Sequence, residues 1–198
     1  MTADERELLD VASEAVELAK ELGAEYADCR VVLRRSEEIS VRNEVPEGIR
    51  RSEEAGLGVR VLLRGAWGFA ATGRVGMDEA REAVRKAVEV ARASAKVRRG
   101  KSSLAPAVVV PEGRYETPVG RDPFSVPLEE KLALLVEATR RMASVPEVKV
   151  RRASCAAYEE RKFLATSEGT RVTQHIVHCG GGLEATAVDE SDTQTRSY

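Results

Sequence analysis

Between Gly56 and Thr72 the sequence alternates so strictly that few folds can hold it. Leu57, Val59, Val61 and Leu63 take every second position, Arg64-Gly65 interrupts them, and Trp67, Phe69 and Ala71 resume the alternation. A period of two belongs to a β-strand, and a short glycine-containing break between two such runs predicts a hairpin. The chain has one Trp and three Phe, so this hairpin holds two of those four rings. Alternating aromatics on a hairpin usually bury against helices, which makes Trp67 and Phe69 expected structural residues of the core. Hydrophobic residues reach 42% while aromatics are only 4%, so the rest of the core must come from Ala, Val and Leu.

The flanking segments alternate between the helical and strand periods. Thr2 with Glu5 has capping-box spacing. Leu8, Ala12, Ala15, Val16, Ala19 and Leu22 then follow the helical period, and Gly23 is the expected C-cap. Tyr26 to Asn43 reads as two strands turning at the charges Arg35 to Glu38, and the polar stretch Val45 to Ala55, with its Pro and Gly, reads as an exposed loop. With the opening hairpin these make a four-stranded antiparallel meander. A second helix is expected from Asp78 as cap, with Ala80, Val84, Ala87, Val88, Ala91 and Ala95 on one face. Residues 97–126 hold four of the seven prolines and read as a connector.

After that connector the order restarts. Pro127 suits the first position of a helix, along which Leu128, Leu132, Leu135, Val136, Thr139 and Met142 form a stripe. Strands are expected over 148–158, 162–167, 171–179 and 183–188. Their turns fall at Glu159-Glu160-Arg161, Ser167-Glu168-Gly169-Thr170 and Gly180-Gly181-Gly182. Glu37-Glu38 and Glu159-Glu160 lie 122 residues apart, and Glu47-Gly48 and Glu168-Gly169 lie 121 apart. The expected fold is therefore α+β: a duplicated unit of a helix and a four-stranded antiparallel meander, helices packed on one face of the sheets. The expected domains are 1–96, a connector at 97–126, and 127–198.

Charge excludes some functions. Lys+Arg number 31 and Asp+Glu 33, a net charge of −2, which gives no electrostatic footprint for nucleic acid. Cys29, Cys155 and Cys179 are odd in number and widely spaced, as expected of free thiols in a reducing compartment. The acidic N-terminus has no signal-type apolar stretch, and no apolar run approaches membrane length. A cytoplasmic protein is the expectation.

Catalytic patterns are scarce. His175, His178 and Cys179 cluster as His-Ile-Val-His-Cys, but residues three apart on a strand face opposite ways, and zinc needs more than two ligands. There is no His-Glu-x-x-x-His and no Gly-x-Ser-x-Gly. Ser154-Cys155 reads as a mid-strand position with an inert thiol. The paired acids at Glu37-Glu38, Glu53-Glu54, Glu129-Glu130 and Glu159-Glu160 read as solvated. Gly180-Gly181-Gly182 lacks the following helix of a phosphate cradle. Arg50, Arg51 and Ser52, on the expected polar loop beside the meander, are the candidates for peptide or partner contacts. No residue is assigned a catalytic or metal-binding role.

Several segments, taken together and in order, resemble the N-terminal region of TldD-like proteins of the TldD/PmbA family, zinc metallopeptidases once described as modulators of DNA gyrase. They are Gly23-Ala-Glu-Tyr-Ala-Asp-Cys-Arg, Gly56-Leu-Gly-Val-Arg-Val-Leu, Gly65-Ala-Trp-Gly-Phe-Ala, Asp122-Pro-Phe-Ser-Val-Pro-Leu-Glu-Glu-Lys and Ala165-Thr-Ser-Glu-Gly-Thr. The resemblance implies a cytoplasmic peptidase that acts on peptides such as microcin precursors or an antitoxin, with a PmbA-like or identical subunit as partner. It also implies zinc on a His-Glu-x-x-x-His motif in a C-terminal domain. That motif is absent here, so the expectation is a non-catalytic N-terminal region that shapes the substrate channel and the subunit interface, without a cofactor of its own. A stand-alone binding or assembly module is the alternative, and a nucleic-acid role the weakest reading.

Overall fold

The computed structural model describes residues 3–106 and 108–198, so the expected Thr2 cap lies outside it. In chain order the elements are α1 (Ala3–Glu21), β1 (Tyr26–Arg42), β2 (Val45–Leu63), β3 (Ala66–Thr72), α2 (Met77–Val97), β4 (Gly113–Glu116), α3 (Leu128–Met142), β5 (Val148–Thr166), β6 (Arg171–Val188) and β7 (Thr193–Ser197). This is an α+β fold with three helices among the described residues. The sheet runs β3-β2-β1-β5-β6-β4, and β7 also pairs with β6. Hairpin partners are antiparallel, whereas β4 lies parallel to β6.

The four-stranded meanders do not form. Arg35 to Glu38 continue β1 instead of turning, Glu159 to Arg161 continue β5, and Gly180 to Gly182 continue β6. The charged stretches contain no glycine or proline to break them, and their charges find partners on neighbouring strands, which favours pairing over solvation. None of Gly180, Gly181 and Gly182 takes a positive φ, so nothing there forces a turn. Val45 to Ala55, expected as a loop, is the exposed first part of β2. Strands β4 and β7 lie outside the expected strands; both are short and mostly polar.

The true turns are chemically specific. Asn43 and Glu44 have φ of 47° and 69°, and Arg64 and Gly65 have 52° and 69°. Two consecutive positive φ values define the two-residue hairpin turn whose twist matches its strands. Arg64-Gly65 is thus the turn the sequence predicts. Asn43 tolerates its conformation and is tied down on both sides, because its Oδ1 accepts from Arg151 N at 2.9 Å and its Nδ2 donates to Lys149 O at 3.2 Å. Asn43→Ala loses both bonds and strains the turn. It should lower the unfolding free energy by about 1–2 kcal/mol in denaturant titration; an unchanged midpoint would mean that the turn is set elsewhere.

Helix ends follow the same logic. Gly23, φ 92°, terminates α1. Its N–H donates to Lys20 O at 2.9 Å while Ala24 N–H donates to Ala19 O at 3.0 Å, the paired bonds of a Schellman motif. Two caps shift by a residue or two. Gly76 rather than Asp78 precedes α2, and Pro127 is itself the cap of α3. Asp78 and Glu79 instead sit in the first turn of α2, where the helix dipole favours acids.

The chain packs as two compact units. One comprises the residues up to Arg34, Glu54–Glu116 and Glu160–Ile176, and the other Arg35–Glu53, Thr117–Glu159 and Val177–Tyr198. In the first unit, Ala12, Ala15, Val16 and Ala19 of α1 and Ala80, Val84, Ala87, Val88 and Ala91 of α2 bury against Cys29, Val31, Val59, Val61 and Phe163. In the second, Leu135 of α3 buries with Ile39, Val41 and Ala153, and Leu128, Leu132 and Val136 pack around them. Small residues on the helices let them approach the sheet closely, which is what an aromatic-poor core requires.

Candidate functional site

Arg50, Arg51 and Ser52 lie on a strand, so their side chains alternate between two faces. Arg51 shares the helix-covered face with Glu37. Its Nε donates to Glu37 Oε2 at 2.6 Å, and Lys131 of α3 donates to Glu37 Oε1. Glu37 is 5% exposed. Burial pushes its carboxyl up, but hydrogen bonds and charge from Lys131 and Arg51 outweigh that, and it sits below the ordinary glutamate range. Arg51 is therefore committed to a buried ion cluster. Ser52 lies on the other face, its Oγ 2.9 Å from Ser36 Oγ.

Arg50 shares that other face and lines a groove of about 430 Å³ with Glu38, Ser40, Gly48, Ser154 and Cys155. A Cβ at Gly48 would come within 3.3 Å of Ser40 Oγ, so glycine there keeps the hydroxyl open to the groove. One guanidinium, one carboxylate and two hydroxyls can hydrogen-bond a polypeptide. They do not make a nucleophile-and-base pair, because burial raises the Cys155 thiol above its usual value and leaves it protonated. The buried Cys29 thiol is pushed further, to about 12.

Not every paired acid is solvated, contrary to expectation. Glu37, Glu159 and Glu160 are buried. Arg34 Nε donates to Glu160 Oε2 at 2.7 Å, and Arg35 Nε donates to Glu159. The Arg35 guanidinium also lies 4.0 Å over the Phe124 ring and 3.7 Å from Asp122. Asp122 in turn accepts from Phe124 N at 2.9 Å, a tight local turn. The Asp122-Pro123-Phe124 segment thus supplies a platform and a counter-charge for a strand arginine. Only the long separation in sequence hid that pairing.

One further expectation changes. Leu57, Val59, Val61 and Leu63 are buried as foreseen, but Ala66 and Gly68 share their face, opposite Leu63 and Val61. Trp67 and Phe69 consequently point the other way, and Phe69 is 61% exposed instead of core. Only a residue small enough to pass beneath α2 suits the buried face of β3. The histidines separate, as their spacing on a strand predicts. His175 Nδ1 is 3.6 Å from Glu116, while the His178 ring stacks on Tyr158 at 4.8 Å. Among the described residues no three His, Cys, Asp or Glu side chains gather as a metal cage. The described residues do not fit a zinc site.

The fold is an α+β scaffold of two compact units with open grooves on the sheet. The chain belongs to the PmbA/TldD metallopeptidase family. The family's domain 1 matches residues 27–95 and its central domain matches residues 121–198. A curated relative, Metalloprotease MJ0996 of Methanocaldococcus jannaschii, is 24% identical over 181 residues, covering 91% of this chain and 40% of the relative. Among solved structures, TldE from Thermococcus kodakarensis superposes with a TM-score of 0.73 at 15% identity, over 95% of this chain and 42% of that one. A putative modulator of DNA gyrase from Bacteroides thetaiotaomicron gives 0.75 at 13% identity, over 96% and 43%. These likenesses establish the fold. The chain spans about two fifths of the length of each of these relatives. No helix among the described residues is long and apolar enough to cross a membrane.

Proposed function

We propose that this chain serves as the non-catalytic first and central domains of a TldD-like zinc metallopeptidase. In that reading the metal and its His-Glu-x-x-x-His ligands belong to a further domain, and these residues shape the substrate channel and the subunit interface. The observation that carries the proposal is the match of two domains of one peptidase family, in order, along the chain. Those matches also support the division into 1–96, a connector at 97–126, and 127–198. The return of a helix followed by two long strands and a short one, first α1 then β1 to β3 and later α3 then β5 to β7, supports an origin by duplication.

Arg50 and Ser52 are the contacts proposed for a peptide or partner, through the groove lined by Ser40 and Ser154. Arg51 contributes by holding Glu37 and hence the local strand pairing. The partner is a PmbA-like or identical subunit, the substrate an unfolded peptide such as a microcin precursor or antitoxin, and the setting the cytoplasm. Nucleic acid has no role, in keeping with the net charge of −2.

The full reading frame tests this directly. It is expected to encode His-Glu-x-x-x-His beyond Tyr198, and its product to bind zinc and cleave unfolded protein. This chain alone is expected to do neither. A stop codon after Tyr198, or about one tightly held zinc per chain of this segment, overturns the proposal. In the active assembly, Arg50→Glu should raise KM about tenfold, about 1.4 kcal/mol, with a smaller change in kcat. Unchanged kinetics would remove Arg50 from substrate binding.

A further inference from the structure

A second groove, of about 410 Å³, lies within the first unit on the sheet face opposite α1 and α2. Its floor exists because β2 carries no side chain at two successive same-face positions, Gly56 and Gly58. Arg30, Val32 and Arg34 of β1 form one wall, and Phe69 of β3 the other. The Phe69 ring leans over Gly58 so closely that a Cβ there would come within 3.2 Å of it. Glycine thus positions an exposed aromatic ring whose outer surface stays accessible.

The charges are layered. Asp28, 3% exposed, lies beneath Arg60, whose Nε and Nη2 reach it at 2.8 and 2.7 Å, and Arg30 stands 3.6 Å away. Glu160 is buried likewise beneath Arg34 and Lys162, at 2.7 and 2.8 Å. The side chains of Arg30, Arg34 and Arg60 are 51%, 50% and 43% exposed, against 4% and 8% for Asp28 and Glu160. A ligand entering the groove meets guanidinium surface first, with the acids underneath fixing its geometry. Glu54, at the rim, is the exposed acid of the lining.

Spacing then restricts the ligand. Residues on one face of a strand recur every second position at about 3.3 Å per residue, so Arg30 and Arg34 stand about 13 Å apart with Val32 between them. An extended peptide has the same repeat. We propose that this groove binds an extended polypeptide segment bearing carboxylates four residues apart around a central apolar side chain. The carboxylates pair with Arg30 and Arg34, and the apolar side chain packs on Val32 and Phe69. Arg and aromatic anchors are the residue types that dominate binding at protein surfaces. The proposal rests on this groove's own chemistry and stands whether or not the parent protein cleaves peptides.

Calorimetric titration with the blocked peptide acetyl-Glu-Ser-Leu-Ser-Glu-amide tests it. Saturable binding is expected, weakening as salt is raised from 50 to 500 mM. Arg30→Gln and Phe69→Ala should each weaken it at least tenfold with circular dichroism unchanged, since both side chains are exposed and Arg60 still holds Asp28. Trp67 is the sole tryptophan, sits 4.8 Å beneath Arg60 and reports occupancy by fluorescence. Absence of binding at millimolar peptide, equal binding of the peptide with Lys in place of Glu, or variants that bind like the parent would each overturn the proposal. A negative result here would leave zinc binding and cleavage by the full-length product untouched, so this test is separate from that of the proposed function.

Discussion

Gly68→Val is expected to be the most damaging single substitution in the first unit, lowering the unfolding free energy by about 3 kcal/mol or more. Gly68 lies in the edge strand β3, directly beneath α2. A Cβ built there falls 2.0 Å from Ala87 O, 2.5 Å from Ala91 N and 2.9 Å from Ala91 Cβ. Two of those three atoms are backbone, so no rotamer change relieves the clash and the helix itself must move. Displacing α2 would open the contacts of Val84, Ala87, Val88 and Ala91 with the sheet, all of them buried. Gly180→Ala, where a Cβ meets nothing within 4 Å, is the control and should stay within about 0.5 kcal/mol. Equal denaturation midpoints for the two variants would show that α2 does not rest on β3 as described.

Lys131→Ala should cost about 3–5 kcal/mol, because it removes one of two cationic partners from a buried carboxylate. The Lys131 side chain is 11% exposed and that of Glu37 6%, whereas Arg51 is 60% exposed and cannot supply the same desolvated contact. Replacing both partners by apolar residues, Glu37→Leu with Lys131→Met, should recover most of the loss, since the penalty lies in the orphaned charge and not in the missing pair. If the double variant is as unstable as Lys131→Ala, packing rather than charge explains the effect.

The same cluster sets a pH dependence. The Glu37 carboxyl is lowered in the folded protein, below the unfolded value of about 4.3. Its contribution is therefore fully present above that unfolded value and is lost as pH falls through the folded one. Glu37→Gln should flatten stability against pH on the acid side of pH 5 relative to the parent protein. An unaltered slope would assign the acid lability to other carboxylates.

Local chemistry explains why some elements were legible. The alternation of Leu57 to Leu63, the Arg64-Gly65 turn, the small-residue stripe of α2 and the Gly23 cap each depend on residues adjacent or one helical turn apart. The long strands did not yield to that logic. Arg35 to Glu38 and Glu159 to Arg161 each look like a turn alone, and they become mid-strand positions because Arg34 and Arg35 pair with Glu160 and Glu159 across more than 120 residues. The face of Phe69 is likewise set by tertiary packing. Both faces of β3 have a plausible pattern, and the choice went to the one where Gly68 admits a helix. Arg50 and Arg51 are neighbours of identical chemistry, yet one lines a groove and the other holds a buried acid.

Composition, periodicity and turn chemistry thus determined the α+β class and the positions of the three helices, since these follow from short-range sterics and from the solvent cost of exposed apolar stripes. Long-range pairing decided strand length, the burial of Glu37, Glu159 and Glu160, and the side of the sheet on which arginine and phenylalanine line an open groove. A charged side chain is stable in a strand or in a core only when its partner is there, and the partner comes from a distant part of the chain.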